Sequence, residues 1–278
     1  MNVVGTQTDE DGLPLVEVGR WASEEKHARL RRYVEITCAV RRKYLGTNKA
    51  GASYIDLYCG PGRAVVRETG ERIDGSALVV FKAASGKQAP FTELHVGDTN
   101  PEYVQACVTR LQRVGGPVQG YAGTALETVT KIAARLNHYG LHFAFLDPFD
   151  LKTLPFAVIE RLAQLKRMDM LIHVSVMDLQ RNLRPYIESA ESPFDTFAPG
   201  WRQVIDPKQH DVTIRRQIRE HWQGLIQKLD MQRSGGIELV TGSNNQPLYW
   251  LVLVSRSDRA HDLWERIRNV GPQRRLPL

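Results

Sequence analysis

Between Ser53 and Val176 short apolar runs alternate with longer amphipathic stretches, and this alternation constrains the chain more than any other feature. The strand-like runs cover 53–58, 91–96, 118–121, 142–146 and 170–176. Helical periodicity fills 76–84, 101–114, 124–137 and 155–166, with Asn100 followed by Pro101 as a cap and first-turn pair. Such alternation predicts an α/β fold: a mostly parallel sheet covered by helices on both faces. Towards the C-terminus, "GIELVTGSNNQPLYWLVLVSR" reads as two strands around a turn rich in Gly, Ser and Asn, an antiparallel pair at the sheet edge. A seven-stranded, mostly parallel, Rossmann-like sheet closed by one antiparallel hairpin is therefore expected.

Residues 180–234 break the alternation and read as a helical insertion or cap. Prolines at 185, 193, 199 and 207 mark a loop, and the helix after it carries Ile214, Ile218, Trp222, Leu225 and Leu229 on one side, a stripe suited to packing on the sheet domain. Residues 1–20 are polar and poor in periodicity, the mark of a flexible arm, so 21–278 is expected to form a single domain. Its first helix is predicted to start at Ser23, a cap ahead of Glu24 and Glu25, and to end near Gly46.

With 278 residues and 42% hydrophobic content the chain can bury a substantial core. No stretch nears the roughly 18 uninterrupted apolar residues of a spanning helix, and the N-terminus lacks the basic-then-apolar order of a signal peptide. A cytoplasmic location and no membrane partner are expected. Cys38, Cys59 and Cys107 are odd in number and widely spaced, which suits reduced residues and argues against a metal held by thiolates. The net charge of +6 favours approach to a polyanion, making nucleic acid a candidate partner, although basic runs on helices serve equally as solvated faces.

The apolar run "YIDLYCGPGR" ends in a glycine-proline-glycine turn. In open parallel sheets ligands bind beyond the carboxyl ends of the strands, and the loop after the first strand is the foremost contact. Gly60 and Gly62 let the backbone approach a ligand without a Cβ, and Pro61 stiffens the turn that Cys59 opens; a plain tight turn would use the same residues. The ATPase phosphate loop is excluded, because the one Gly-Lys pair, Gly86-Lys87, is followed by Gln. A dinucleotide loop lacks its third glycine. What remains is D-x-x-x-G-x-G with Asp56 inside the strand, the form in which S-adenosylmethionine enzymes present their first loop. Asp98, just past the second strand, suits a ribose diol or a helix cap. At the end of the fourth strand, "AFLDPFDL" sets Asp147, Pro148 and Phe149 where amine methyltransferases orient an NH₂ group and stack a planar substrate; Asp-Pro also forms simple turns. Asp178, Arg181 and Asn182 follow the fifth strand and are candidate substrate contacts, or a salt bridge at a helix start.

These segments, together with "DGLPLVEVGRWASEEKHARLRRYVEI", "GSALVVFKA", "MDMLIHVSVMDLQRNL" and "NNQPLYWLVLVSR", resemble the three-Cys-motif partner proteins in order and over nearly the whole length. The family name refers to cysteines in the product of a neighbouring gene, so the three cysteines here are coincidental. The resemblance implies a class I methyltransferase-like fold, a bacterial or phage-associated origin, and a nearby-encoded three-Cys-motif protein as a partner. It puts Asp56, Gly60, Gly62 and Asp98 at the S-adenosylmethionine site, and Asp147 to Phe149 at the transfer site. One departure stands out: where similar members read Gly-Asp-Ala-Asn, this chain has Gly123-Thr124-Ala125-Leu126. Thr124 offers the adenine amine a neutral acceptor in place of a carboxylate, a loss of about 1 kcal/mol. The function expected is therefore methyl transfer from S-adenosylmethionine to an exocyclic amine of a nucleic acid or modified nucleoside, without metal; the alternative is a non-catalytic partner that keeps the fold to bind a protein or nucleic acid.

Overall fold

The computed structural model describes residues 7–20, 22–233, 238–241 and 247–268. Its strands are β1 (Gln7–Thr8), β2 (Pro14–Val18), β3 (Ala52–Asp56), β4 (Arg63–Val66), β5 (Arg72–Asp74), β6 (Glu93–Asp98), β7 (Val118–Ala122), β8 (Leu141–Leu146), β9 (Met168–Ser175), β10 (Gln232–Arg233), β11 (Glu238–Thr241) and β12 (Pro247–Ser255). The main sheet runs β10-β12-β9-β8-β3-β6-β7, with β11 also paired to β12. β9, β8, β3, β6 and β7 are parallel, and β12 lies antiparallel beside β9. All five predicted parallel strands are present within two residues of their expected ends. The expected seven strands become eight because two short strands share one edge: Gln232 pairs with Ser255, and Glu238 with Leu251.

Alternation along each buried strand divides the core. Ala144 and Leu146 of β8 face a layer that includes Val129, Ile159 and Ile218, while Phe143 and Phe145 face Tyr33, Val80 and Trp264. Every residue of β3 is buried, as a central strand covered on both faces requires. Ile214, Ile218, Trp222 and Ile226 of the helix Asp211–Lys228 join the first layer, so this amphipathic helix packs on the sheet domain.

Two expectations need correction. The chain over 7–20 is not a loose arm: β1 and β2 join β4 and β5 in a separate four-stranded sheet, with Val16 opposite Ala64 and Arg63 opposite Asp74. Asp9 holds Arg63 at 3.0 Å and Arg72 at 2.9 Å, while Asp11 takes both arms of the Arg110 guanidinium at 2.8 Å. These strands have two to five residues each, too short to show a period, and the pairing of β2 with β4 that joins the two hairpins spans some fifty positions, so local periodicity carries no trace of them. The first helix is also not continuous. A π-helical turn, Ala22–His27, leads into Ala28–Ile36, and Cys38–Arg42 follows after a break at Thr37. Thr37 donates its hydroxyl to the Tyr33 carbonyl at 2.7 Å, a back-bond that bends helices. Ser23 lies inside the π turn, and Trp21 lies outside the described residues.

Candidate functional site

The carboxyl end of β3 carries the glycine turn, which leads into the small sheet and not straight into a helix. β4 and β5 form a hairpin that brings Gly75 back, its N–H donating to the Gly62 carbonyl at 2.8 Å, so the helix Ser76–Gly86 starts beside the turn. Asp56 ties these parts together. Its carboxylate accepts from the Ser76 hydroxyl at 2.5 Å, the Tyr58 N–H at 3.2 Å and the Tyr54 hydroxyl at 3.1 Å. Fully buried, its carboxyl is pushed up to about 6 by desolvation, against the pull of those donors. Asp56 therefore shapes the loop from below, and its oxygens do not reach a ligand surface.

The two glycines of the turn have different jobs. Both have positive φ, 54° at Gly60 and 85° at Gly62. A Cβ on Gly62 would come within 3.1 Å of the Cys107 backbone, so this glycine admits the helix Pro101–Arg113. A Cβ on Gly60 would meet nothing within 4 Å. Gly60 is the open, approachable point of the turn, and its N–H donates to Asp98 at 3.1 Å. The other Asp98 oxygen accepts from the Asn100 N–H at 2.9 Å, while the Asn100 side chain caps the next helix. Asp98 is thus joined to the glycine turn, and its half-buried carboxylate retains lone pairs for a diol. Cys59 turns inward beside Cys107, both thiols free, and offers a ligand only backbone. The Pro61 carbonyl accepts from Arg110 at 2.7 Å.

Thr124 caps the helix Ala125–Ala133 in a reciprocal box with Glu127. Its hydroxyl and its N–H both donate to one Glu127 oxygen at 2.9 Å. Those hydrogen bonds, the backbone one first, hold the Glu127 carboxyl below its usual range. A carboxylate, that of Glu127, therefore lies directly against Thr124.

At the end of β8, Asp147 is not a free acceptor. Lys26, 8% exposed, reaches across from the π turn to Asp147 Oδ2 at 2.5 Å, and His173 Nδ1 lies 3.5 Å from Oδ1. Burial is the largest influence and works to raise the Asp147 carboxyl, but the charge and hydrogen bond of Lys26, together with the neighbouring His173 and His27, outweigh it and hold the carboxyl below its usual range. Burial also pushes His173 down to about 4, so its imidazole is neutral near pH 7. Pro148 is buried, and Phe149 is 92% exposed. Asp178 secures this loop: it accepts from the Leu151 N–H at 3.0 Å, the Asn182 amide at 2.6 Å and the Tyr186 hydroxyl at 3.0 Å. Asp178 and Asn182 are consequently bound to one another, and only Arg181 of that predicted trio is exposed without a hydrogen bond or ion pair among the described residues.

No protein-family model matches the chain, and no curated protein is similar to it in sequence. Solved structures similar in chain trace include a cofactor-bound Rv0187 from MTB, at 15% identity and a TM-score of 0.46, covering 85% of this chain and 82% of that one. An O-methyltransferase from Bacillus cereus in complex with SAH is 14% identical, with a TM-score of 0.48 and coverage of 84% and 81%. An rRNA methylase from Streptococcus thermophilus is 10% identical, with a TM-score of 0.39 and coverage of 79% and 93%. At such distances nothing of their chemistry transfers to this chain.

Three participants escaped the sequence. Lys26 lies 121 positions from Asp147, inside a run of helical charges that reads as solvated. Glu127 was legible in principle, since Thr124-x-x-Glu127 is a capping-box pattern. Arg110, 3% exposed, binds Asp11 and the carbonyls of Pro14 and Pro61, fastening the N-terminal strands to the glycine turn. Among the described residues no group of three or more His, Cys, Asp or Glu side chains is placed to hold a metal ion, and no helix is long and apolar enough to cross a membrane.

Proposed function

We propose that the chain is an S-adenosylmethionine-dependent methyltransferase of the three-Cys-motif partner type, acting on an exocyclic amine of a nucleic acid or modified nucleoside. The observation that carries this reading is the pairing of Gly60 with Asp98. An approachable backbone at positive φ is hydrogen-bonded to a carboxylate with spare lone pairs, both at the carboxyl ends of adjacent parallel strands. Gly60 would lie against the cofactor, Asp98 would accept from the ribose hydroxyls, and Glu127 would accept from the adenine amine. Bound S-adenosylmethionine supplies a methyl group already activated on a sulfonium.

The remaining work is positioning, which Asp147 can perform despite its ion pair. Lys26 keeps the carboxylate ionised and hence purely an acceptor, and 18% of its side chain stays exposed to receive an amine N–H. Accepting that hydrogen bond fixes the direction of the nitrogen lone pair, and such alignment can supply much of a bimolecular rate enhancement. Phe149 would stack on a planar base drawn out of its strand. Asp178 holds the loop in place from behind through the Leu151 N–H.

A second reading, a non-catalytic platform for a three-Cys-motif protein or nucleic acid, draws on the occupation of Asp147 Oδ2 by Lys26. Incubation with methyl-labelled S-adenosylmethionine and pooled RNA, DNA and nucleosides separates the two. Label in an exocyclic methylamine after digestion, lost in Asp147→Ala, supports transfer. Saturable nucleic-acid binding without label supports the platform.

A further inference from the structure

At the opposite end of the sheet, where β8 and β9 begin, lies a cavity of about 290 Å³. The six residues of β8 put roughly 20 Å between it and Asp147, at about 3.3 Å per residue. Its body is apolar and aromatic: Tyr33, Phe91 and Phe143 line it, with Ala260 and Leu263 of the C-terminal helix Asp258–Arg268 on one side. Tyr33 and Phe143 stand with ring centroids 5.0 Å apart. Such walls accept a flat hydrocarbon body, and the volume suits a ligand of one or two rings.

The charge around this body is one-sided. Arg41, Lys166, Arg167, Arg256 and Arg259 all line the cavity, and Asp169 is the single acid. Asp169 is already satisfied, accepting from the Tyr33 hydroxyl at 2.8 Å and the Ser255 hydroxyl at 2.5 Å. Arg41 is the telling residue. It is 2% exposed and sits 4.6 Å over the Phe91 ring. Its guanidinium donates only to neutral groups, the carbonyls of Ala89 and Val34 and the hydroxyl of Thr37. Among the described residues no carboxylate forms an ion pair with it, an arrangement that normally costs several kcal/mol. Lys166 and Arg259 at the rim are exposed and likewise make no ion pair among the described residues. A buried cation without a counter-ion, beside an aromatic hollow with a cationic rim, is complementary to an aromatic anion.

We propose that this cavity binds a small aromatic carboxylate, at a site separate from the glycine turn and independent of the methyltransferase reading. The ring would lie among Tyr33, Phe91 and Phe143, and the carboxylate would face Arg41 and the rim cations.

Calorimetric titration of the full chain with naphthoate and with naphthamide tests this, because the two probes match in shape and differ in charge. Saturable naphthoate binding at least about fivefold tighter than naphthamide is expected, the effect of roughly 1 kcal/mol of charge pairing. The double variant Lys166→Glu/Arg259→Glu should lose most of that preference, and Ala260→Phe should abolish binding of both probes by filling the hollow. Should Ala260→Phe fail to fold by circular dichroism, Leu263→Trp fills the same space from a half-buried position. Equal affinity for the two probes, absence of saturable naphthoate binding, or undiminished binding in the folded filled variant would each overturn the proposal.

Discussion

Replacing Lys26 by Met leaves the Asp147 carboxylate half-buried without its cation, and the cost follows from the geometry. The pair is 2.5 Å apart with 8% and 18% of the two side chains exposed, so little solvent is available to take over from the ammonium. Breaking a buried pair from one side typically costs about 3–5 kcal/mol; the residual exposure of Asp147 puts this case at the lower end, about 3 kcal/mol. For a chain of this size the urea m-value sits near the top of the usual ~1–3 kcal/mol per molar, so the midpoint should fall by about 1 M at pH 7. Asp147→Asn alone should cost a comparable amount, because it leaves the ammonium stranded. The double variant should recover about 2 kcal/mol relative to the sum, as contacting residues do. There is a pH signature as well. Without Lys26, burial raises the Asp147 carboxyl, so the protonated form is favoured in the folded state. The variant's deficit should therefore shrink as pH is lowered from 7 towards 5. Additivity of the two single variants within about 0.5 kcal/mol would refute the ion pair as the group that controls Asp147.

Gly60→Ala and Gly62→Ala should separate ligand approach from packing. Both incur the cost of a left-handed residue, about 1–2 kcal/mol, but Gly62→Ala adds a contact with the Cys107 backbone and should show the lower melting temperature, while Gly60→Ala should show the larger loss of S-adenosylmethionine affinity. Glu127→Ala should weaken S-adenosylmethionine several-fold by equilibrium titration, whereas Leu126→Ala beside it should leave affinity unchanged. For His173 the folded imidazole titrates at about 4 against 6.5 when unfolded, so the unfolded chain binds the extra proton and stability falls as pH drops through that window. The slope from this group approaches about 1.4 kcal/mol per pH unit, and urea midpoints for His173→Asn should lack that component.

Most of the fold could be read from the sequence because strands β3, β6, β7, β8 and β9 are local, apolar and spaced by amphipathic helices, so each announces itself within its own window. The glycine turn was legible for the same reason: positive φ and an abrupt end to an apolar run leave a compositional mark. What stayed hidden depends on long-range pairing. β2 meets β4 across some fifty residues with only three pairs in register, and Arg110 sits in the last turn of a helix where a basic side chain ordinarily faces solvent. The division of labour between Gly60 and Gly62 was equally out of reach, since it depends on where Cys107 falls. So did the engagement of Asp147: its residue type marks an acceptor, but only the folded chain brings Lys26 to it.

The central claim, that Gly60 and Asp98 together receive a sulfonium nucleoside, is tested most directly by calorimetric titration of the wild type and Asp98→Ala with S-adenosylmethionine and its demethylated product. Saturable binding in the wild type is predicted, weakened more than about a hundredfold in the variant as two charge-assisted hydrogen bonds of roughly 1.5–3 kcal/mol each are lost. No saturable heat in the wild type, or equal affinity in the variant, would contradict the account.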